Sequence, residues 1–67
     1  MSDPESRPLD RIEAPFNKQV ELFEVVHDNG VRLLRLRIRE GSRFTTMDLD
    51  LDTARRWGTV MTDWAAT

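Results

Sequence analysis

Two turn signals that contain glycine divide residues 18–50 into three runs with alternating apolar and polar side chains. Asn29–Gly30 separates KQVELFEVVH from VRLLRLRIRE, and Gly41–Ser42 separates that second run from RFTTMDLDL. Asn-Gly fits a type I′ hairpin turn, in which both central residues have positive φ, and Gly-Ser fits a type II′ turn. The pattern predicts three antiparallel strands in meander order, over about residues 18–27, 31–40 and 43–50.

The loop lengths also predict which side chains share a face of the sheet. A two-residue loop at Asn29–Gly30 places Phe23 opposite Leu36, and a two-residue loop at Gly41–Ser42 places Leu36 opposite Met47. Both registers assign the same parity to the middle strand. The predicted core face therefore holds an apolar set: Phe23, Val25, Leu34, Leu36, Ile38, Met47 and Leu49.

The last segment, DLDTARRWGTVMTDWAAT, predicts a helix that begins after Asp50 or Asp52, since an aspartate side chain can cap the first turn. Its larger apolar residues recur at helical spacing, with Val60 widening a stripe of Ala54, Trp57, Met61 and Trp64. We expect this stripe to cover the core face of the sheet. The predicted fold is a two-layer α+β unit of order β-β-β-α, with one C-terminal helix packed on a three-stranded antiparallel meander sheet.

The first sixteen residues have a different composition. All three prolines lie at Pro4, Pro8 and Pro15, among residues whose charges give 2 − 4 = −2 up to position 17. Residues 18–67 carry eight basic and eight acidic side chains and are neutral as a whole. A segment with few apolar residues and many charges buries too little surface to order itself. The sequence thus predicts a flexible, Pro- and acid-rich tail over residues 1–16 and a single domain over residues 17–67.

The small size predicts a need for extra stabilisation. A chain of 67 residues forms one domain at most and buries only ~60% of the surface that its unfolded chain exposes. It has no cysteine for disulfides or thiolate zinc sites and only one histidine, so oligomerisation is the expected support. No apolar run reaches the length of a signal peptide or a membrane span, and we expect a cytoplasmic protein with no membrane partner.

Five arginines lie between residues 31 and 44. The predicted registers place Arg35 between Glu24 and Asp48, so the row is largely neutralised by cross-strand pairs. Apolar residues on the same face suggest an interface. The candidate partner-binding or nucleic-acid-binding residues are Leu33, Arg35, Arg37, Arg39 and Phe44.

Two functions follow from this face. The first is a non-catalytic interaction or accessory module, homodimeric through this second sheet face or through an edge strand, with a protein partner also considered. The alternative is a weak single-stranded nucleic-acid-binding protein, in which arginines hold phosphates and Phe44 stacks on a base. The neutral charge of the predicted domain disfavours the alternative, because nucleic-acid binders usually carry a basic surface.

The sequence offers little to support catalysis. His27 precedes Asp28, but no nucleophile has a predicted position beside them, and Ser42 lies in the other turn. The run DLDLD at residues 48–52 resembles the start of a calcium loop, yet Thr53 and Thr59 replace the glycine and glutamate that the loop requires. We predict no catalytic residue, cofactor or metal ligand.

Strands that carry arginine, followed by a helix that starts as LDTARRW, loosely resemble the transcription-coactivator family that binds single-stranded DNA as a dimer. That resemblance implies a dimer and a single-stranded ligand, but the chain lacks the lysine-rich loops and the fourth strand of the family. The predicted order of elements is also similar to that of the small accessory proteins of peptide synthetases, whose Ser-x-Trp-Pro signature is missing here. Both resemblances concern topology only.

Overall fold

A computed structural model describes residues 5–67. These residues form one antiparallel sheet of four strands in the order β1-β2-β3-β4, followed by one helix. The bounds are β1 Glu5–Ala14, β2 Lys18–Val26, β3 Arg32–Glu40, β4 Arg43–Leu49 and α1 Leu51–Ala65. The prediction of an α+β fold with an antiparallel sheet and a C-terminal helix is confirmed, whereas the strand count of three is wrong.

The additional strand, β1, lies in the segment that the sequence predicts as a tail. Pro8 is compatible with it because β1 is an edge strand, where a missing backbone N–H costs no ladder bond. A β-bulge between Pro8 and Asp10 shifts the register of β1 against β2 by one residue. The turn into β2 places Phe16 and Asn17 at positive φ, 64° and 60°, a conformation that is uncommon for a bulky side chain. Residues 1–4 of the predicted tail lie outside the described residues.

The first predicted hairpin register, between β2 and β3, is wrong by one residue. His27 donates its backbone N–H to the Val31 carbonyl and accepts from Gly30, so the loop is Asp28–Gly30 and holds three residues. Only Gly30 of this loop has positive φ, at 85°, as expected for a three-residue loop and not for a type I′ turn. Phe23 therefore lies opposite Arg35, not Leu36.

The second predicted register, between β3 and β4, is confirmed. Leu36 lies opposite Met47 and Leu34 opposite Leu49. Gly41 has a φ of 61°, while Ser42 is not among the residues with positive φ, which is the combination of a type II′ turn.

The one-residue shift moves every side chain of β2 to the other face. Phe23 and Val25, predicted for the core face, lie on the arginine side, and Val20 and Leu22 take their place. We call the first side the apolar face; the register gives it Ile12, Val20, Leu22, Leu34, Leu36, Ile38, Met47 and Leu49. We call the second side the arginine face; it holds Phe23, Val25, Leu33, Arg35, Arg37, Arg39, Phe44 and Asp48.

The helix begins after an N-cap at Asp50, whose carboxylate accepts the backbone N–H of Thr53 at 2.7 Å. This bond satisfies one of the first-turn donors and lowers the pKa of the Asp50 carboxyl. Contrary to expectation, α1 does not cover the sheet: of the strands it mainly contacts β3, and none of its residues is buried. A single residue, Asp50, joins β4 to α1, and this is too short a connection to turn the helix back over the sheet.

Candidate interaction surfaces

The five predicted site residues lie together on the arginine face, all on β3 and β4. Leu33 is half-buried opposite Val25, one of three buried apolar side chains among the described residues. The other four form two distinct clusters, one centred on Arg35 and one on Phe44.

Arg35 forms a two-pronged ion pair with Asp48. Its Nε donates to Oδ1 at 2.8 Å and its Nη2 donates to Oδ2 at 3.0 Å. Donation from the guanidinium lowers the pKa of the Asp48 carboxyl and raises the pKa of Arg35. The predicted pairing with Asp48 is confirmed, but Glu24 lies on the other face, opposite Leu34. Because Arg35 already pairs with the Asp48 carboxylate, it attracts an anionic ligand only weakly.

The second cluster is built around the ring of Phe44. The Arg37 guanidinium lies 4.4 Å from the ring centroid and that of Arg39 lies 5.7 Å away, both within cation–π range. Arg39 also donates from Nε to the Gly41 carbonyl at 3.0 Å. Glu21 lies directly opposite Arg37 on β2. The cluster joins two cations and a half-exposed aromatic ring, and it is the part of the arginine face best suited to a phosphate or a base.

The apolar face has an apolar centre and charged ends. At one end, the Glu24 carboxylate forms ion pairs with Arg7 at 3.4 Å and with Arg32 at 3.5 Å. At the other end, Lys18 lies 3.7 Å from Glu40. Between these ion pairs the register places only apolar residues and Thr45 on β2, β3 and β4.

The helix presents a second apolar surface, which we call the helix stripe: Trp57, Val60, Met61 and Trp64. These residues lie within about one third of the helix circumference at 3.6 residues per turn. Trp64 is 80% exposed, and Val60 and Met61 are each 60% exposed. An exposed apolar surface of this kind marks an interaction site more often than an ordinary solvated helix.

An open cleft of about 470 Å³ lies where α1 meets the sheet. Leu34, Leu49, Leu51 and Ala54 line it, with Leu9 from the bulge of β1. The first turn of α1 therefore lies beside one end of the apolar face.

The remaining candidates for chemistry stay dispersed. Among residues 5–67, no group of three or more histidine, aspartate or glutamate side chains is arranged to hold a metal ion. Within the same residues, no helix is long and apolar enough to cross a membrane.

Reasoning from the sequence identified the arginine face but missed the helix stripe as a surface, because it assigned that stripe to the core. The available signal was the spacing between Leu49 and the Asp50 cap. A strand that ends one residue before a helix leaves no room for a reversing loop.

A family model described as a family of unknown function (DUF6967) matches residues 3–67. No curated protein and no solved structure matches the chain.

Proposed function

This chain belongs to the DUF6967 family, and we propose that it is a non-catalytic interaction module that acts as a homodimer. The observation that carries the proposal is the surface left unburied by the single chain. Its accessible surface is 5739 Å². A compact monomer of 7.8 kDa is expected to expose about 4,400 Å².

The excess of roughly 1,300 Å² exceeds what one partner contributes to a standard protein–protein interface, about 800 Å². The radius of gyration agrees with this excess. It is 13.5 Å, whereas a compact chain of this length has about 11 Å. Both quantities describe a chain that is less compact than expected for its length, and this supports the proposed dimer.

The free energy available from the helix stripe is of the right size. Complete burial of a large apolar side chain contributes about 1.5–3 kcal/mol. The exposed fractions of Trp57, Val60, Met61 and Trp64 together amount to more than two such side chains. A symmetric dimer gains this twice, about 7–14 kcal/mol, which is comparable to the association cost of about 4–15 kcal/mol.

The proposal includes the cytoplasmic location expected from the sequence, which a chain without cysteine suits. Dimerisation through the arginine face or an edge strand remains a prediction. Burying that face would desolvate the Arg35–Asp48 pair, which lowers its net contribution. At one edge, β1 carries Pro8 and a bulge, features that oppose strand pairing between chains.

Urea unfolding at several protein concentrations tests the proposed dimer. A dimer that dissociates as it unfolds has a midpoint that rises with protein concentration, because association stabilises the folded state by mass action. A midpoint that stays constant from low micromolar to high micromolar chain concentration would contradict the proposal.

Binding of single-stranded nucleic acid is the second candidate, and the Phe44 cluster favours it. Two guanidinium groups beside one partly exposed ring combine phosphate attraction with a stacking surface. Short thymidine oligomers should then bind at low salt and lose affinity steeply as salt rises. Arg37→Glu should abolish this binding, and Arg55→Glu, the same charge change on the helix, should reduce it only slightly. Equal loss in both variants would leave only non-specific charge attraction.

A further inference from the structure

We propose that the two copies exchange their helices, so that the helix stripe of one copy packs on the apolar face of the other. The inference rests on the proposed homodimer and adds its architecture. Each copy gives a helix and receives one, which makes the interface symmetric and closed.

The short covalent connection to β4 prevents each helix from turning back over its own sheet. α1 starts at Leu51, directly after the Asp50 cap, and β4 ends at Leu49. The capping hydrogen bond from the Thr53 N–H to the Asp50 carboxylate holds the first turn of α1 directly after β4. The helix stripe remains exposed in the single chain, from 37% at Trp57 to 80% at Trp64.

The apolar face supplies a complementary receiving surface. Its centre consists of Ile12, Val20, Leu22, Leu36, Ile38 and Met47. Ile12 is 49% exposed and Met47 is 39% exposed, so this surface is also partly open. Ion pairs at Glu24 and at Lys18 flank the centre and can remain in solvent. An apolar centre with a charged rim is the usual anatomy of a protein–protein interface.

The dimensions agree. A helix of 15 residues is about 22 Å long, since each residue adds 1.5 Å. Four strands spaced by about 4.8 Å span roughly 15–19 Å. Of the helix length, the helix stripe from Trp57 to Trp64 takes up about 10 Å, which is enough to lie over two to three of the partner's strands.

The two surfaces are also balanced in charge. The helix back carries Asp52, Arg55, Arg56 and Asp63, which sum to zero, and Arg55 lies 3.9 Å from Asp52. The helix therefore brings no net charge to the apolar face of the partner. An unrelated partner would need its own apolar helix of matching length, whereas a second copy brings one by necessity.

Site-directed cross-linking tests the exchange, and the absence of native cysteine makes it clean. One copy carries Met61→Cys on the helix stripe, and a second, size-tagged copy carries Ile38→Cys on the apolar face. The copies are mixed, allowed to exchange subunits and treated with a short bis-maleimide. The matched control replaces Met61→Cys by Thr59→Cys, which lies on the opposite side of the helix, about 10 Å away.

We expect a tagged–untagged product from the Met61 and Ile38 pair at a yield at least tenfold above that of the Thr59 control. Val60→Cys with Val20→Cys is a second pair for the case in which Ile38→Cys fails to fold. The solution mass of each variant is measured first, so that loss of the dimer is separated from loss of the contact.

Cross-links between two Met61→Cys copies, without links to the sheet, would overturn the exchange and show a helix-to-helix dimer. Equal yields from Met61→Cys and Thr59→Cys would overturn it as well. Both results leave the proposed homodimer intact. A chain that is monomeric in every variant and in its native sequence instead removes the proposed function itself.

Discussion

Trp64 is the residue whose removal should best separate the stability of one chain from the stability of the dimer. It lies in the last turns of α1 and is 80% exposed in the single chain. Complete burial of a large apolar side chain contributes about 1.5–3 kcal/mol, so covering the exposed part of Trp64 contributes about 1–2.5 kcal/mol per copy.

Trp64→Ala should therefore act on association and hardly on folding. In the single chain the exposed indole buries little surface, so its removal costs little folding free energy, and alanine is the better helix former. In the dimer the loss occurs at both copies and amounts to about 2–5 kcal/mol, which raises the dissociation constant roughly 30- to 3,000-fold at 1.4 kcal/mol per factor of ten. We expect a variant that is monomeric at concentrations where the native chain is a dimer.

The assay is the concentration dependence of the urea midpoint, with circular dichroism to confirm that the helix persists. Thr59→Ala is the matched control, because Thr59 lies on the back of the helix and its hydroxyl bonds only the Arg55 carbonyl of its own helix. The reasoning is refuted if Trp64→Ala keeps the midpoint and the concentration dependence of the native chain.

Three further predictions concern other parts of the fold. Gly30→Ala should destabilise the fold by about 1–2 kcal/mol, because the φ of +85° at this position is unfavourable for alanine. The added methyl group itself meets no atom within 4 Å, so the cost comes from the backbone alone. An unchanged urea midpoint would contradict this. The pKa of the Asp48 carboxyl is lowered in the folded state by its pair with Arg35. The pair stabilises the fold by at most about 1 kcal/mol, since it lies at the surface. This stability is present above an ordinary aspartate pKa of ~3.9 and is lost as the pH falls through the lowered value. Unfolding curves should then show Asp48→Asn less stable than the native chain at neutral pH and equal to it in acid, and an equal gap at both pH values argues against the pair. Arg37→Glu should leave the dimer mass unchanged in light scattering, since Arg37 lies on the arginine face; dissociation would instead assign the interface to that face.

The part of the fold that the sequence predicted well is the part that local turn chemistry determines. Gly41–Ser42 admits a two-residue type II′ turn, and the register of β3 against β4 follows, with the Arg35–Asp48 pair as its consequence. Helix capping was predicted for the same reason, at Asp50 or Asp52, and the structure has the cap at Asp50, since a short polar side chain before an apolar stripe is a local signal.

The sequence predictions were wrong at a turn that fits two loop lengths and at a strand whose edge position tolerates prolines. Asn29–Gly30 fits both a two-residue and a three-residue loop, and the extra loop residue exchanges the faces of Phe23 and Leu22. β1 was missed because its prolines disfavour a central strand, whereas at an edge the cost is small.

The sequence predicted the arginine face as a candidate interaction surface but did not predict the helix stripe as one. Leu33, Arg35, Arg37, Arg39 and Phe44 do share one face, because alternation along β3 and β4 places them there. The helix stripe was identified as apolar but assigned to the wrong partner. An apolar periodicity shows that a surface is to be buried, and it does not show whether the covering surface belongs to the same chain.

Sedimentation equilibrium of the native chain, over a range of concentrations and at two salt levels, tests the central claim most directly. Association through apolar burial predicts a mass of twice 7.8 kDa that persists when salt is raised, because screening weakens charge contacts and leaves apolar burial in place. A mass that stays at 7.8 kDa at every concentration would contradict it.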